Sequence, residues 1–522
     1  MKNPQLNMLE KYEKWFLELR KGVYFGRLGK TFCTDDNFYF FDTGTGKIAE
    51  IREEVYQILT CLFENDAFEP VLELGLTEDE LIEGFEEINL AVDSENILSA
   101  PVMKTMVNKG TLDLEDSLLK NSNTIVLELT EDCNLRCTYC IYHPKHPGYR
   151  EFGKKHMSSE TAKQSVDFLL AHSSSESEHI HIGFYGGEPF LNFAVMKDTI
   201  EYAKEKFSSQ KLSFGVTTNA VLLTSSTSDY LIENNVAIVV SLDRPKEIHD
   251  KQRLFIDDSG SFDAVEKGIK QLIKSCEKYN KNPDFTVNMV IDDYDKFETY
   301  ELIQDFYDSC EWLPKKISIR CSGIGIGPRV APLLLPHSKE EKNLLDKLED
   351  PIETWTEKRT DDYLDNVKVF SKETIDESLI RIHKRFLSNT PTSTYPMNGC
   401  CVPGNRKAYI TTSGEIYPCE QLGGQVPSLG NVTDGYDVTK IRKYYIDDYI
   451  EKSKEDCQKC WAINLCGVCY SECYDAEGLK PEFKNMLCIL MRGRLENSLI
   501  RYHKLFENNS AILEEYNSME IS

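Results

Sequence analysis

Apolar and polar positions along the chain fall into three successive patterns. Over residues 1 to about 115 the first signal is Asn37-Phe38-Tyr39-Phe40-Phe41-Asp42, an aromatic run that predicts a strand. Thr43-Gly44-Thr45-Gly46 supplies turn residues, and Lys47 to Ile51 can return as a second strand. Val55, Ile58, Leu59 and Leu62 then recur at helical spacing. Thr77, with Glu80 three residues on, reads as a capping box that opens another helix. Leu81, Phe85, Ile88 and Leu90 are expected on that helix's apolar face. Strands followed by small helices predict either a winged-helix-like module or an extension of the next domain.

Between about 120 and 335 short apolar runs alternate with amphipathic stretches. The runs Thr124–Leu129, His179–Phe184, Leu212–Thr217, Ala237–Leu242, Phe285–Ile291 and Lys316–Arg320 predict strands. Glu160–Ala171, Phe193–Lys206 and Phe262–Tyr279 predict intervening helices. Repeated strand–helix units imply an α/β fold with a parallel sheet or partial barrel. In such folds reactive groups gather at the C-terminal strand ends. Cys133, Cys137 and Cys140, Gly186-Gly187-Glu188-Pro189, Thr217-Thr218-Asn219 and Ser241-Leu242-Asp243 all follow expected strands. From about 336 a charged helical connector leads to cysteine-rich sequence, beginning at Cys400, with little regular pattern. That region shows no evident apolar core and is expected to be organised by bound clusters. A helix over roughly Met491–Phe506 is expected to close it.

The length of 522 residues suits about three domains. A formal charge of −26 disfavours nucleic acid and acidic membranes, because phosphate binding needs clustered Lys and Arg. No apolar run approaches a membrane span, and the N-terminus lacks a signal-peptide core, so a cytoplasmic protein is expected. The 17 cysteines are odd in number and uneven in placement. Most fall within 133–140, 400–419 and 457–473. Short cytosolic spacings of this kind read as metal or cluster ligands rather than disulfides. Cys33, Cys61, Cys276, Cys310 and Cys321 are scattered and read as small buried hydrophobes.

Cys133-x3-Cys137-x2-Cys140 can hold three irons of a [4Fe–4S] cube and leave one open for a ligand. A zinc site is the competing reading, though no fourth ligand stands nearby unless His143 or His146 serves. The triad at a strand end resembles the signature of the radical S-adenosylmethionine (SAM) superfamily. The resemblance implies a partial (β/α)6 barrel over 116–335. It places Gly186, Gly187 and Glu188 at the SAM amino group, Ser241 at the ribose, Arg253 at the carboxylate and Tyr139 near the adenine. Asn219 and Asp243 lie in the matching strand-end motifs. Arg244 departs from the glycine usual in the family. The implied chemistry is reductive cleavage of SAM to a 5′-deoxyadenosyl radical, fed by an external one-electron reductant such as flavodoxin or ferredoxin.

Cys401, Gly414 and Cys419, followed by Cys457-x2-Cys460-x5-Cys466-x2-Cys469-x3-Cys473 and Cys488, resemble the SPASM domain, assigned here to 396–522. That resemblance implies two auxiliary [4Fe–4S] clusters. Cys457, Cys460, Cys466 and Cys488 would hold the outer one, and Cys401, Cys419 and Cys469 the inner. Cys473 or Cys400 remains a possible fourth inner ligand; without either, the inner cluster has an open iron. Paired Cys-x2-Cys spacings also suit zinc. Glu420, next to Cys419, can move a proton or lie on the surface. Residues 1–115 resemble the recognition element of enzymes that modify ribosomally made peptides, which adds a leader peptide to a sheet edge. The helical connector is assigned to 336–395. The combination implies a maturase that forms Cys thioether crosslinks in a precursor peptide. Carbon–carbon crosslinking, anaerobic sulfatase maturation and a non-enzymatic iron–sulfur carrier are the alternatives.

Overall fold

A computed structural model describes residues 4–144, 151–174, 179–207, 211–291, 297–314, 317–323, 355, 372–397, 401–422 and 426–519. His146, Lys316, Cys400 and most of the connector expected over 336–395 lie outside these residues. β1 (Gly29–Cys33), β2 (Phe38–Asp42) and β3 (Ile48–Ile51) form an antiparallel sheet in that order. Phe40 pairs with Thr31 on one side and Ala49 on the other. Helix Glu53–Asn65 packs on β1 and β2 and against helix Glu78–Glu95. The second helix begins with the expected capping box, in which Thr77 N donates to Glu80 Oε2 at 2.7 Å. Its buried stripe is Leu81, Gly84, Phe85 and Ile88. Leu90, expected on that stripe, is 69% exposed. Two residues past Ile88, the helical rotation carries a side chain to the opposite face. Tyr12, Phe16, Phe25, Ile58, Leu62, Phe68 and Phe85 give this segment its own core.

After β4 (Thr105–Met106), six parallel strands follow: β5 (Thr124–Thr130), β6 (His179–Gly186), β7 (Lys211–Thr218), β8 (Val236–Ser241), β9 (Phe285–Ile291) and β10 (Ser318–Gly323). β11 (Thr394–Tyr395) pairs with β4. The chain then adds β12 (Lys407–Ile410), β13 (Glu415–Tyr417), β14 (Gly430–Asn431) and β15 (Gly435–Tyr436). They complete a ten-stranded sheet in the order β10-β9-β8-β7-β6-β5-β12-β13-β14-β15. β5 to β10 and β12 run parallel, and the last three strands alternate. Ile125, Leu127, Ile182, Phe184, Ile238, Val240, Val287 and Met289 fill the main core. These are alternate residues: β7, β8 and β9 bury about every second side chain and leave those between partly exposed. Met103, Met106, Leu114 and Leu118 join this core rather than the N-terminal one.

The cysteine-rich region differs from expectation. It extends the main apolar core, with Tyr409, Tyr445, Tyr449, Tyr470 and Tyr474 all buried in it. Tyrosine carries a large apolar ring and hides a core from a pattern of aliphatic residues. The closing helix runs Pro481–Asn509, ten residues earlier than the expected start, and places Cys488 inside it. Pro481 sits in its first turn, where the missing N–H costs nothing. Phe32, Tyr39 and Phe41 of the N-terminal sheet pack with Trp461, Leu465, Leu495 and Leu499. Among the described residues no helix is long and apolar enough to cross a membrane.

Candidate active site and thiol clusters

β5 runs directly into the loop that carries Cys133, Cys137 and Cys140. The end of β6 holds that loop in place: Gly187 N donates to Thr130 O at 2.8 Å and Glu188 N to Asp132 O at 2.9 Å. A Cβ on Gly187 would stand 1.9 Å from Asp132 O, and one on Gly186 2.4 Å from Thr130 O. Gly186 also adopts φ +129°, open to glycine alone at little cost. The close approach that these glycines allow is therefore to the cysteine loop itself. On the other side, Arg136 N and Thr138 N donate to Leu254 O and Gln252 O, tying the loop to the residues around Arg253.

Glu188 is buried, and it accepts from Phe190 N, Thr218 Oγ1 and Asn219 N at 3.2, 2.8 and 2.9 Å. Burial raises its pKa to about 7, against these three hydrogen bonds. The bonds fix the β7 end, and from there Asn219 Nδ2 reaches Asn134 Oδ1 at 2.9 Å and Cys133 Sγ at 3.8 Å. At the β8 end, Ser241 pairs with Asn288. Asp243 is fully buried and accepts from Tyr139 Oη (2.9 Å), Arg253 Nε (2.8 Å), Arg253 Nη2 (3.2 Å) and Val290 N (2.8 Å). The Arg253 guanidinium lies 5.3 Å from the Tyr139 ring. Tyr139 and Arg253 are thus held against each other by one carboxylate. Arg244 turns away from this network onto Phe306 and Tyr307. Burial lowers its pKa to about 10.

Burial pushes the Cys133 thiol up, with Glu188 adding to the effect. It pushes Cys137 up to about 12, opposed by Arg253. Cys137 and Cys140 add to the negative charge facing Cys133. Leu135 N donates to Cys133 Sγ at 3.4 Å. Three neighbouring thiols with amide donors and a buried cation suit a bound cluster, whose binding expels the thiol protons. Among the described residues no three His, Cys, Asp or Glu side chains converge on a single-ion point. A cube needs no such convergence, because each thiolate binds a different iron.

Two further thiol groups stand in the C-terminal region. Cys419 feels the charge of Cys469, and Cys469 that of Cys401. Burial lifts Cys419 to about 12. Ser471 Oγ donates to Cys469 Sγ at 3.4 Å. Cys473 is fully buried, and its Sγ points back to Cys469 O at 3.2 Å. In the other group Cys457, Cys460, Cys466 and Cys488 act on one another, and burial lifts Cys460 to about 11 and Cys466 to about 12. A small cavity opens beside Cys457 and Cys460, lined also by Arg27, Thr43 and Tyr395. Glu420 is half-buried and ion-paired with Lys407 at 2.7 Å.

Sequence reasoning missed three residues of these sites. Lys484 donates to Cys457 Sγ at 3.3 Å and Cys488 Sγ at 3.7 Å. Its spacing of four from Cys488 was a signal, had the helix been started early enough. Tyr185, at the β6 end, is raised by burial and then by Tyr142, Glu420 and Cys140, so both Cys140 and Glu420 act on it. Lys407 opens β12 and carries no motif.

Residues 127–306 match the family model described as the radical SAM superfamily. This stretch is a radical SAM domain, and the protein is a radical SAM enzyme. Such an enzyme uses a [4Fe–4S] cluster and SAM, which the Cys133–Cys140 loop and its flanking strand ends fit. The chain is 24% identical over 379 residues to the cysteine-type anaerobic sulfatase-maturating enzyme of Clostridium novyi (strain NT), covering 70% of this chain and 91% of that protein. It is 25% identical over 267 residues to the radical SAM cyclopropyl synthase TigE of Paramaledivibacter caminithermalis, covering 48% and 53%. A solved structure of native anSMEcpe with bound AdoMet and Cp18Cys peptide shares its fold, with a TM-score of 0.52 at 20% identity over 74% of this chain and 99% of that one.

Proposed function

We propose that this protein matures a ribosomally made peptide by joining a cysteine sulfur to a carbon of another residue. The observation that carries this reading is a shared sheet. β5 leads into the Cys133–Cys140 loop, and its parallel neighbour β12 leads through β13 to Cys419. β13 runs back along β12, so we read the two thiol sites as bounding one substrate path from opposite strand ends, with Cys140 and Glu420 both acting on Tyr185. In this reading Cys133, Cys137 and Cys140 hold the SAM cluster, and Gly186, Gly187, Glu188, Asn219, Ser241, Asp243, Arg253 and Tyr139 build the SAM pocket. Cys401, Cys419 and Cys469 hold the inner auxiliary cluster, and Cys457, Cys460, Cys466 and Cys488 the outer.

When bound, SAM and its cluster supply hydrogen-atom abstraction from a substrate carbon. Joining sulfur to that carbon also releases the thiol proton and one electron. Glu420, adjacent to Cys419 and kept in an ion pair by Lys407, stands ready to take the proton. Iron–sulfur clusters held by the auxiliary thiols would take up the electron. Asp243 holds Arg253 and Tyr139 at fixed positions against the SAM loop. β3 is an edge of the N-terminal sheet and can accept a leader peptide as an added strand. The names of the C. novyi relative and the peptide-bound structure support a polypeptide substrate.

The C. novyi relative also favours a second reading, oxidation of a cysteine to formylglycine at the same radical site. Mass spectrometry of a cysteine-containing peptide encoded beside the gene, co-expressed with the enzyme, separates the two. Loss of two hydrogens, with the cysteine no longer open to alkylation, is expected. An aldehyde at the cysteine position replaces the leading reading with the second, and an unmodified peptide contradicts both.

A further inference from the structure

Lys484 is only 2% exposed, in the second turn of helix Pro481–Asn509. An ammonium taken this far out of water is costly unless its charge is met. Both of its hydrogen bonds go to sulfur, to Cys457 Sγ at 3.3 Å and Cys488 Sγ at 3.7 Å. The Tyr449 ring lies 5.7 Å from its ammonium, and Cys466 also acts on it. A neutral thiol is a weak acceptor, whereas an anionic thiolate matches an ammonium in both charge and donor capacity. Cys457 and Cys488 also sit on two different elements, helix Asp448–Cys457 and helix Pro481–Asn509. One fixed charge therefore touches the group from two sides. Other charges near these thiols are Arg492, which acts on Cys460, Asp456, which acts on Cys457, and Arg381, whose Nη1 donates to Cys466 O at 3.5 Å.

We infer that Lys484 sets the reduction potential of the outer auxiliary cluster, holding it above the value its four thiolates alone would give. The inference rests on the proposed ligand set Cys457, Cys460, Cys466 and Cys488. Cluster potential responds to net charge and to hydrogen bonds on the ligand sulfurs. One added electron makes the cluster more negative, and a buried ammonium bonded to two of its sulfurs favours that state. At the inner site the corresponding groups are Lys407, which acts on Cys419, and Ser471 Oγ, which donates to Cys469 Sγ at 3.4 Å. An outer cluster so tuned would be the readier to take up an electron released in the crosslinking step.

The test is a potentiometric titration followed by electron paramagnetic resonance. It uses the full-length reconstituted protein carrying Cys133→Ala, Cys137→Ala and Cys140→Ala, which retains only auxiliary clusters. Lys484→Gln keeps a donor but loses the charge, and it should move one reduction wave to lower potential while leaving the other in place. Lys484→Arg should return that wave to its original position. Two unmoved waves in Lys484→Gln at unchanged iron content, or a wave as low in Lys484→Arg as in Lys484→Gln, would overturn the inference. Should Lys484→Gln lose the outer wave altogether, Lys484→Arg decides: a wave at the original potential supports the inference and a lowered one overturns it. Cys457→Ala supplies the separate check on the ligands. If it removes no wave, the ligand set itself is wrong and the inference falls with it. If it removes the wave that Lys484 does not move, the ligand set stands and the role of Lys484 is refuted.

Discussion

Cys469 and Cys473 compete for one slot in the cysteine pattern, and their surroundings separate them. Cys469 shares its electrostatic neighbourhood with Cys401 and Cys419 and accepts a hydrogen bond from Ser471. Cys473 lies in the main apolar core and turns its thiol to a backbone carbonyl. Cys469→Ala is therefore expected to lose the iron of one cluster. Cys473→Ala should keep it, at a cost of about 1 kcal/mol in stability. Iron analysis and thermal melting of the two variants check this, and iron loss from Cys473→Ala alone would reverse the assignment. At this scale the sequence spoke clearly wherever spacing itself encodes the chemistry, as in Cys133-x3-Cys137-x2-Cys140. It was silent where a common residue gains its role from placement. Lys484 and Lys407 are two of the chain's 60 basic residues, and only the fold sets them beside thiols and Glu420. Arg253 shows the intermediate case: its position in the strand-end motif was legible, but its buried pairing with Asp243 was not.

Between elements, the contact of the N-terminal sheet with the closing helix passes through His503. Its ring centre lies 4.6 Å from that of Tyr39 and 5.0 Å from that of Phe32, and Nδ1 bonds Leu499 O at 2.8 Å. Burial lowers its pKa from 6.5 to about 4, with Arg385 lowering it further and Glu507 opposing. The unfolded chain therefore binds a proton that the folded chain refuses between pH 6.5 and about 4. Stability from this site is complete above pH 6.5 and falls as the pH drops toward 4, by on the order of 3 kcal/mol. His503→Phe keeps the aromatic packing and should flatten that acid limb, read as melting temperature against pH. An acid limb as steep in the variant as in the parent would contradict this role. The six parallel strands were legible because apolar residues recur at alternate positions along them and turn residues bound them. The first turns of helix Pro481–Asn509 carry a helical period in Phe483, Met486, Leu487 and Leu490, but the neighbouring cysteines drew that stretch into the cysteine-rich segment. The tyrosine core behind Cys419 escaped because its side chains read as half-polar.

Across the whole molecule, the C-terminal cysteine region is an extension of the radical SAM sheet. β12 joins β5 edge to edge, so the strand that launches the Cys133–Cys140 loop and the β12–β13 hairpin that leads to Cys419 belong to one sheet. The N-terminal sheet is anchored to the outer thiol loop, where Thr43 Oγ1 donates to Trp461 O at 2.8 Å and Asn464 Nδ2 to Thr43 O at 2.7 Å. Edge strand, Cys133–Cys140 loop and C-terminal thiols thus belong to one connected framework, and the proposal it supports is that a radical made at Cys133–Cys140 is delivered to a peptide carbon. Isotope transfer tests it most directly. The reduced, reconstituted enzyme is given SAM and the neighbouring precursor peptide with its carbon-bound hydrogens replaced by deuterium, and the 5′-deoxyadenosine formed is weighed by mass spectrometry. The account predicts 5′-deoxyadenosine carrying one deuterium, formed only when the peptide is present. 5′-Deoxyadenosine without deuterium at the same rate with and without peptide, or none at all, would contradict it.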